Sequence, residues 1–278
     1  MNKEKITVSI MGCGWLGFPL ATFLLDKGFA IKGSTTTPDK MPVMSDHGIE
    51  PFLISISPEI NQDFESAFFD SEVLILNIPP SRKQLEIVTT YPALIEEVLK
   101  IADDTPVQKI LFVSSTSVYP NLNRKVNEEE AGGELSASGE ALLKAEQILQ
   151  NQQRFEVSIL RFCGLFDSER NPGRFLAGKY LDSNGSDKVN LIHQDDCINI
   201  ISEILKQSAW GEVFNACADQ HPEKEHFYSK ATASIGLEAP RFNETAPSAY
   251  KEVDSSKLKK KLNYTFIYPD PEAVIDKS

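Results

Sequence analysis

Through the first half of the chain, short apolar runs alternate with amphipathic stretches. Residues 6–11, 29–33, 51–56 and 72–78 read as strands, the last built on the run Val73-Leu74-Ile75-Leu76. Residues 18–27 read as a helix in which Leu20, Phe23 and Leu24 share one face. Pro19 stands in its first turn, where a missing N–H costs nothing, and Gly28 closes it. A long helix is predicted over 91–102, then a strand over 109–113. Residues 138–150 carry Ala141, Leu142, Ala145, Ile148 and Leu149 at helical spacing, and a strand follows at 155–161. Runs this apolar suit strands buried on both faces, and the alternation of strand with helix predicts a parallel sheet in an α/β chain.

After about residue 165 the rhythm breaks. Residues 167–174 and 182–188 are polar and turn-rich, the latter containing Asn184-Gly185. A short strand at 189–192, a helix at 195–206 and a strand at 211–216 follow, with a further helix near 224–235 among Pro-rich connections. No internal repeat stands out. The pattern predicts one sheet domain over 1–165, completed by about 189–217, with a smaller cap drawn from 166–188 and 218–278.

Composition narrows the setting. With 28 Lys plus Arg against 40 Asp plus Glu, the 278-residue chain carries a net charge of -12, which repels phosphate backbones and anionic lipid headgroups. Nucleic acid and membrane are therefore not the expected partners. Lys3 and Lys5 precede only about six apolar-leaning residues before Gly12, too few for a signal-peptide core, and no apolar run is long enough to span a bilayer. Cys13, Cys163, Cys197 and Cys217 have no short paired spacing, which suits small buried hydrophobes in a reducing cytoplasm better than disulfides or a zinc cage.

The first chemical signal is Gly12-Cys13-Gly14-Trp15-Leu16-Gly17, which fits G-x-G-x-x-G. The pattern alone is weak, but here it follows a predicted strand and opens a predicted helix, the context a dinucleotide site requires. The first glycine permits a tight turn, the second lets the backbone approach a pyrophosphate, and the third lets helix and strand pack closely. The helix N-terminus then offers N–H groups and partial positive charge to the phosphates. A plain tight turn is the competing reading. At the end of the second strand, where a carboxylate would hold the adenosine ribose of NAD, the chain has Gly33-Ser34-Thr35-Thr36-Thr37 with Lys40 beyond. Hydroxyls and an ammonium can hold a 2′-phosphate, so NADP is expected ahead of NAD, although threonines can also simply begin a turn. Asp39 lies 22 residues past Gly17 but follows Pro38 and is expected in a loop.

Five segments then point one way. Phe112-Val113-Ser114-Ser115-Thr116-Ser117-Val118-Tyr119-Pro120 resembles the strand-end motif of the extended short-chain dehydrogenases, the NAD(P)-dependent epimerase/dehydratase group. Arg161-Phe162-Cys163-Gly164-Leu165-Phe166 resembles that family's loop after the sixth strand, which passes the nicotinamide, and Pro172-Gly173-Arg174 its first substrate-side segment. Asn190-Leu191-Ile192-His193-Gln194-Asp195-Asp196 resembles its strand-to-helix step, and Phe214-Asn215-Ala216 its last sheet strand. The resemblance spans nearly the whole chain in the right order. It implies a Rossmann-type doubly wound parallel sheet, a small C-terminal substrate-binding cap and an NAD(P) cofactor. On the cofactor side it takes in Ser114, Cys163 and Pro79 beside the glycine turn and the hydroxyl run.

The resemblance also places Ser115 at the family's catalytic hydroxyl and Lys144 at the lysine of Tyr-x-x-x-Lys. Four residues before Lys144 stands Glu140, and none of the seven tyrosines has a lysine four residues on. The usual phenol, whose proton is exchanged with a substrate hydroxyl, is absent. Glu140 could serve as a general base, but the weightier reading of Glu140 and Lys144 is an ordinary i,i+4 ion pair on a helix. Tyr119, the nearest phenol to Ser115 in sequence, is the substitute acid. Arg161 and Arg174 are candidates for anchoring an anionic substrate group. His193 beside Asp195 and Asp196 is a substrate-side candidate, against a helix-capping turn as the commoner arrangement. Gly173-Arg174-Phe175-Leu176-Ala177-Gly178-Lys179-Tyr180 nearly fits a P-loop but lacks its final Ser or Thr. The expected function is an NAD(P)-dependent oxidoreductase or epimerase acting on a small hydroxyl or carbonyl compound or a nucleotide sugar. A catalytically silent NADP(H)-binding or sensing protein is the alternative, and a purely structural oligomer module a third. The family's four-helix homodimer contact would use residues 91–102 and 138–150, and it needs apolar residues on both faces of the second helix.

Overall fold

The computed structural model describes residues 5–55, 66–80 and 86–275; Lys3 and Ile56, both used above, lie outside them. In chain order the sheet strands and main helices are β1 (Thr7–Met11), α1 (Gly17–Asp26), β2 (Ala30–Thr35), α2 (Lys40–Asp46), β3 (Glu50–Leu53), β4 (Val73–Leu76), α3 (Ile87–Asp103), β5 (Lys109–Ser115), α4 (Ala137–Gln150), β6 (Glu156–Phe162), α5 (Gly173–Leu176), α6 (Gln194–Gln207), β7 (Val213–Ala216), α7 (Lys224–Ser234), α8 (Ser256–Leu262) and α9 (Pro271–Ile275). The seven strands form one sheet in the order β3-β2-β1-β4-β5-β6-β7. Pairings from β3 through β5 are parallel, with Val8 facing Ile31 on one side and Val73 on the other. At the far edge the same sense holds, because the starts of β5 and β6 are bonded (Glu156 N to Gln108 O, 2.9 Å) and so are the ends of β6 and β7 (Cys163 N to Ala216 O, 3.1 Å). The chain winds outward from β1 to β3, then crosses to β4 and winds the other way. That reversal is where an open α/β sheet opens a crevice at its strand C-termini.

The central strands are apolar because both of their faces are covered. Val8, Ile10 and Met11 of β1 and Leu74, Ile75 and Leu76 of β4 are fully buried, as strands flanked by helices on both sides must be. Helix α3 packs along α4, and α4 also meets β5. Outward-facing α4 positions carry Glu140, Lys144 and Gln147, all exposed, instead of the second apolar face a four-helix contact needs.

The chain divides into two compact units, Met1–Val118 with Leu135–Leu160 and Ser202–Val213, and Tyr119–Glu134 with Arg161–Ile201 and Phe214–Ser278. The second unit thus takes up 119–134 and 161–165, which the apolar pattern had grouped with the sheet domain. Within it, short parallel strand pairs join Gly164–Phe166 to Leu191–His193, Tyr180–Leu181 to Arg241–Phe242, and Lys125–Val126 to Glu252–Val253. Its own core gathers Phe166, Val189, Leu191, Phe227, Ala231 and Ile275. Helix α2 forms where no element was predicted: it buries only Met44, too little to leave a periodic signature. Helices α8 and α9 went unpredicted for a similar reason, each burying two residues.

Among the described residues no helix is long and apolar enough to cross a membrane.

Candidate functional site

In the first unit the glycine turn leaves β1 and enters α1. Gly12 has φ +104°, a conformation L side chains rarely adopt, and a Cβ there would run into the Asn77 carbonyl. A Cβ on Gly17 would collide with the Gly12 carbonyl, so this glycine sets how closely α1 approaches the turn. Gly14 differs, because a Cβ there would meet nothing within 4 Å. Its smallness serves nothing inside the protein, and that is the open face a pyrophosphate would approach. No side chain caps the N-terminus of α1; Phe18 N bonds the Gly14 carbonyl (3.0 Å) and Pro19 has no N–H, so the Gly17 amide is the one at this helix start that would face an anion. These residues fit a dinucleotide. Leu16 is buried, Trp15 half-buried and Gly14 exposed.

The turn is braced from both neighbouring strands. Ser34, at the end of β2, accepts from Gly12 N through its hydroxyl (2.9 Å) and from Cys13 N through its carbonyl (2.8 Å). Asn77, one residue past β4, donates from Nδ2 to the Gly12 carbonyl (2.9 Å), and its own N–H bonds Met11 O (2.9 Å). Beyond Ser34, Thr35 is buried and its Oγ1 accepts from Thr37 N (3.1 Å). Each hydroxyl keeps a proton to donate. Thr36, Thr37, Asp39 and Lys40 are exposed; Asp39 lies in the turn between β2 and α2, as expected, and occupies the N-cap of α2 without a side-chain capping bond. Past Asn77, the Ile78 carbonyl is held by the Tyr91 hydroxyl (2.7 Å), and Pro79 is exposed.

At the end of β5 both serines are engaged close at hand. Ser115 Oγ accepts from Ser117 N (3.2 Å), closing its own turn. Ser114, buried, donates to Glu146 Oε1 (2.5 Å), a fully buried carboxylate on α4. The face of α4 turned inward carries Leu142, Ala145, Glu146 and Leu149. Lys144, two residues from Glu146, stands about 200° round the helix. It is 45% exposed and pairs with Glu140 (2.9 Å), itself 49% exposed. The pair is the surface i,i+4 bridge that was the weightier reading of these two residues, and the inward position on the helix belongs to Glu146.

In the second unit Tyr119 and Arg161 satisfy each other. Tyr119, 2% exposed, donates to Asn215 Oδ1 (2.7 Å) and accepts from Arg161 Nη1 (2.6 Å); the guanidinium also bonds the Glu128 carbonyl (2.8 Å). Burial pushes the phenol up to about 12 despite the adjacent guanidinium. This is a poor acid near neutrality and the opposite of the environment a substitute proton donor needs. Arg161, 3% exposed, is likewise withdrawn from an incoming anion. Arg174, on α5, is exposed. Cys163 follows β6 directly and is buried.

His193 is 8% exposed, its ring 3.9 Å from that of Tyr268, and its Nδ1 accepts from Asp195 N (3.2 Å). Burial holds the imidazole below its usual range, against the pull of Asp195 and Asp196. Asp196 ties down the loop beyond α8, accepting from the Tyr264 hydroxyl (2.7 Å), Ile267 N (2.8 Å) and Tyr268 N (3.0 Å). The capping arrangement therefore describes this group.

The chain is 34% identical over 267 residues to Protein YeeZ of Escherichia coli strain K12, covering 95% of this chain and 97% of that protein. The chain belongs to the YeeZ family. No family model matches it. The fold of this YeeZ-family chain is shared with a short-chain dehydrogenase/reductase superfamily protein from Agrobacterium tumefaciens with bound NAD (TM-score 0.77, 17% identity, 98% of this chain and 95% of that one). It is shared too with the UDP-glucuronic acid 4-epimerase of Bacillus cereus in complex with UDP-glucuronic acid and NAD (TM-score 0.75, 17% identity, 98% and 99%). At these identities the likeness is one of fold.

Sequence reasoning missed three residues that shape the site in this YeeZ-family chain. Asn77 was visible as the first polar residue after an all-apolar strand. Glu146 was visible as the one carboxylate in phase with Ala141, Leu142, Ala145 and Leu149. Asn215 carried no local signal, since its partner Tyr119 is 96 residues away.

Proposed function

We propose that the chain is an NADP(H)-binding protein of the oxidoreductase/epimerase type, acting on a small hydroxyl or carbonyl compound or a nucleotide sugar. The observation that carries this is the glycine turn: Gly12 and Gly17 are closed against the protein, Gly14 is open, and α1 begins uncapped. Gly12–Gly17 and the N-terminus of α1 would hold the pyrophosphate. Ser34, Thr35, Thr36 and Lys40 would hold the adenosine ribose and its 2′-phosphate, favoured over NAD because β2 ends in hydroxyls with no carboxylate. Pro79, Ser114 and Cys163 would serve the cofactor, and Arg174 the substrate. When bound, such a cofactor supplies or accepts a hydride. Four buried cysteines, all free, suit the cytoplasm as the site of action.

Calorimetric titration tests this reading. NADPH is expected to bind more tightly than NADH, Lys40→Glu to reduce that preference, and Gly14→Val to remove binding of both without unfolding the protein, since the added side chain meets only open space. Absence of binding to either dinucleotide in the wild-type chain overturns it.

A second reading, NADP(H) binding or sensing without turnover, is favoured by one specific observation. Lys144 pairs with Glu140 on an exposed helix face, and no tyrosine stands four residues before it.

A further inference from the structure

Two of the three glycines in the turn are closed by the same residue. A Cβ on Gly12 would run into the Asn77 carbonyl oxygen, and one on Gly17 would lie 3.0 Å from Asn77 Nδ2. Asn77 stands one residue past β4, and all of these groups belong to the first unit. Its backbone is fixed on both sides. Asn77 N donates to the Met11 carbonyl (2.9 Å), and the buried Tyr91 donates from its hydroxyl to the Ile78 carbonyl (2.7 Å). Ile78 also stands against Gly12, its Cγ2 3.3 Å from where a Cβ would be. A side chain on so constrained a backbone has little freedom left to lose when a ligand arrives.

The orientation of the Asn77 carboxamide follows from its partner. Asn77 Nδ2 lies 2.9 Å from the Gly12 carbonyl oxygen. A carbonyl can only accept, so the group facing it is the NH₂ and the other end is an oxygen. Among the described residues no hydrogen bond reaches Asn77 Oδ1, yet this atom is not sealed from solvent, and the residue is half-buried. Bracing the turn needs only the NH₂. It leaves unexplained an acceptor held open beside a turn shaped to receive an anion.

The chemistry of a dinucleotide decides what this acceptor can take. A pyrophosphate presents only acceptor oxygens and carries negative charge, so an amide oxygen would repel it. The donors along such a ligand are the hydroxyls of its two riboses and the amino groups of its two bases. The order of the sheet then selects among them. The strands run β2-β1-β4. Strand β2 ends in the hydroxyls assigned above to the adenosine ribose, β1 leads into the turn assigned to the pyrophosphate, and β4 leads to Asn77. A ligand laid across the strand ends in that sequence brings its second ribose, the one bearing the nicotinamide, to Asn77. We propose that Asn77 Oδ1 accepts a hydrogen bond from a hydroxyl of that ribose, while Nδ2 holds the turn beneath the pyrophosphate. This rests on the dinucleotide reading given above and adds to it a residue that reads the ligand on its nicotinamide side. One carboxamide thus serves the turn and the ligand at once.

Titration of the full-length protein with two fragments of the cofactor separates contact from bracing. Adenosine 2′-phosphate 5′-diphosphate ends at the pyrophosphate, whereas 2′-phospho-ADP-ribose carries the second ribose as well. Asn77→Ala is expected to weaken the ribose-bearing fragment about fivefold more than the shorter one, the worth of one neutral hydrogen bond. Asn77→Ser, whose hydroxyl is too short to reach both partners, is expected to show the same difference, and it serves where the alanine variant does not fold. Equal losses on the two fragments, or none on either, overturn the proposal: Asn77 is then a brace alone, and the cofactor reading stands. If the wild-type chain binds neither fragment nor NADPH, the cofactor reading has failed and the proposal with it.

Discussion

Tyr119 shows how a residue type can mislead until its surroundings are known. By sequence it is the phenol nearest Ser115; in the folded chain it is a buried strut between Arg161 and Asn215. Tyr119→Phe removes both bonds and leaves two buried polar groups short of a partner, at a cost of about 1–3 kcal/mol. Urea denaturation should register that loss, while NADPH affinity stays as in the wild type. The pH dependence has a definite sign. An unfolded tyrosine ionises near 10, whereas the folded one is held up to about 12. Between those values the folded chain keeps a proton the unfolded chain has lost, so stability falls as pH rises through that window. Tyr119→Phe should flatten part of that fall. None of this was legible beforehand, because the partners Glu128, Arg161 and Asn215 are set by tertiary contact. Gly12 and Gly17, by contrast, could be read directly, since their chemistry depends on a local turn.

Helix α4 carries the same lesson at the next scale. Its existence and apolar face were legible from spacing alone, and so was the ion pair of Glu140 with Lys144; what spacing did not single out was Glu146. Helical phase puts Lys144 and Glu140 on the exposed side and Glu146 inside, against Ser114. Two substitutions separate these roles. Lys144→Ala should change stability by no more than about 0.5 kcal/mol, as for exposed i,i+4 pairs. Glu146→Ala should cost about 1.5–3 kcal/mol through the lost bond to a charged group. Thermal melts of the two variants under one buffer decide the matter, and equal effects would contradict the assigned helix face. Strands β1 and β4 were legible for the opposite reason: an all-apolar run has no phase to misjudge. Helix α2 and the short strands of the second unit other than Leu191–His193 bury at most one residue apiece and gave no periodicity to detect.

For the molecule as a whole, binding of NADPH to the folded state alone should raise stability by about 2.7 kcal/mol at a hundred times Kd. Hydrogen–deuterium exchange should show where. Protection is expected at Gly12–Gly17, at Ser34–Thr37 and around Asn77, with little change in α7. A shift spread evenly over both units would argue for a general tightening in place of a site at the glycine turn. The order of sheet elements could be foreseen because each is a local pattern; a discontinuous division was expected too, but not its bounds, because segments far apart in sequence build each unit. That discontinuity bears on how the chain is made. The first unit closes only when Ser202–Val213 exists, and at about 5–20 residues per second a ribosome needs roughly 10–40 s to reach that point. Until β6 emerges, β5 has no neighbour on its far side, and its Leu111 and Phe112, fully buried in the finished protein, belong to an open edge. A nascent chain stalled before residue 156 should therefore be held by chaperones, and neither unit can be produced as a single contiguous fragment.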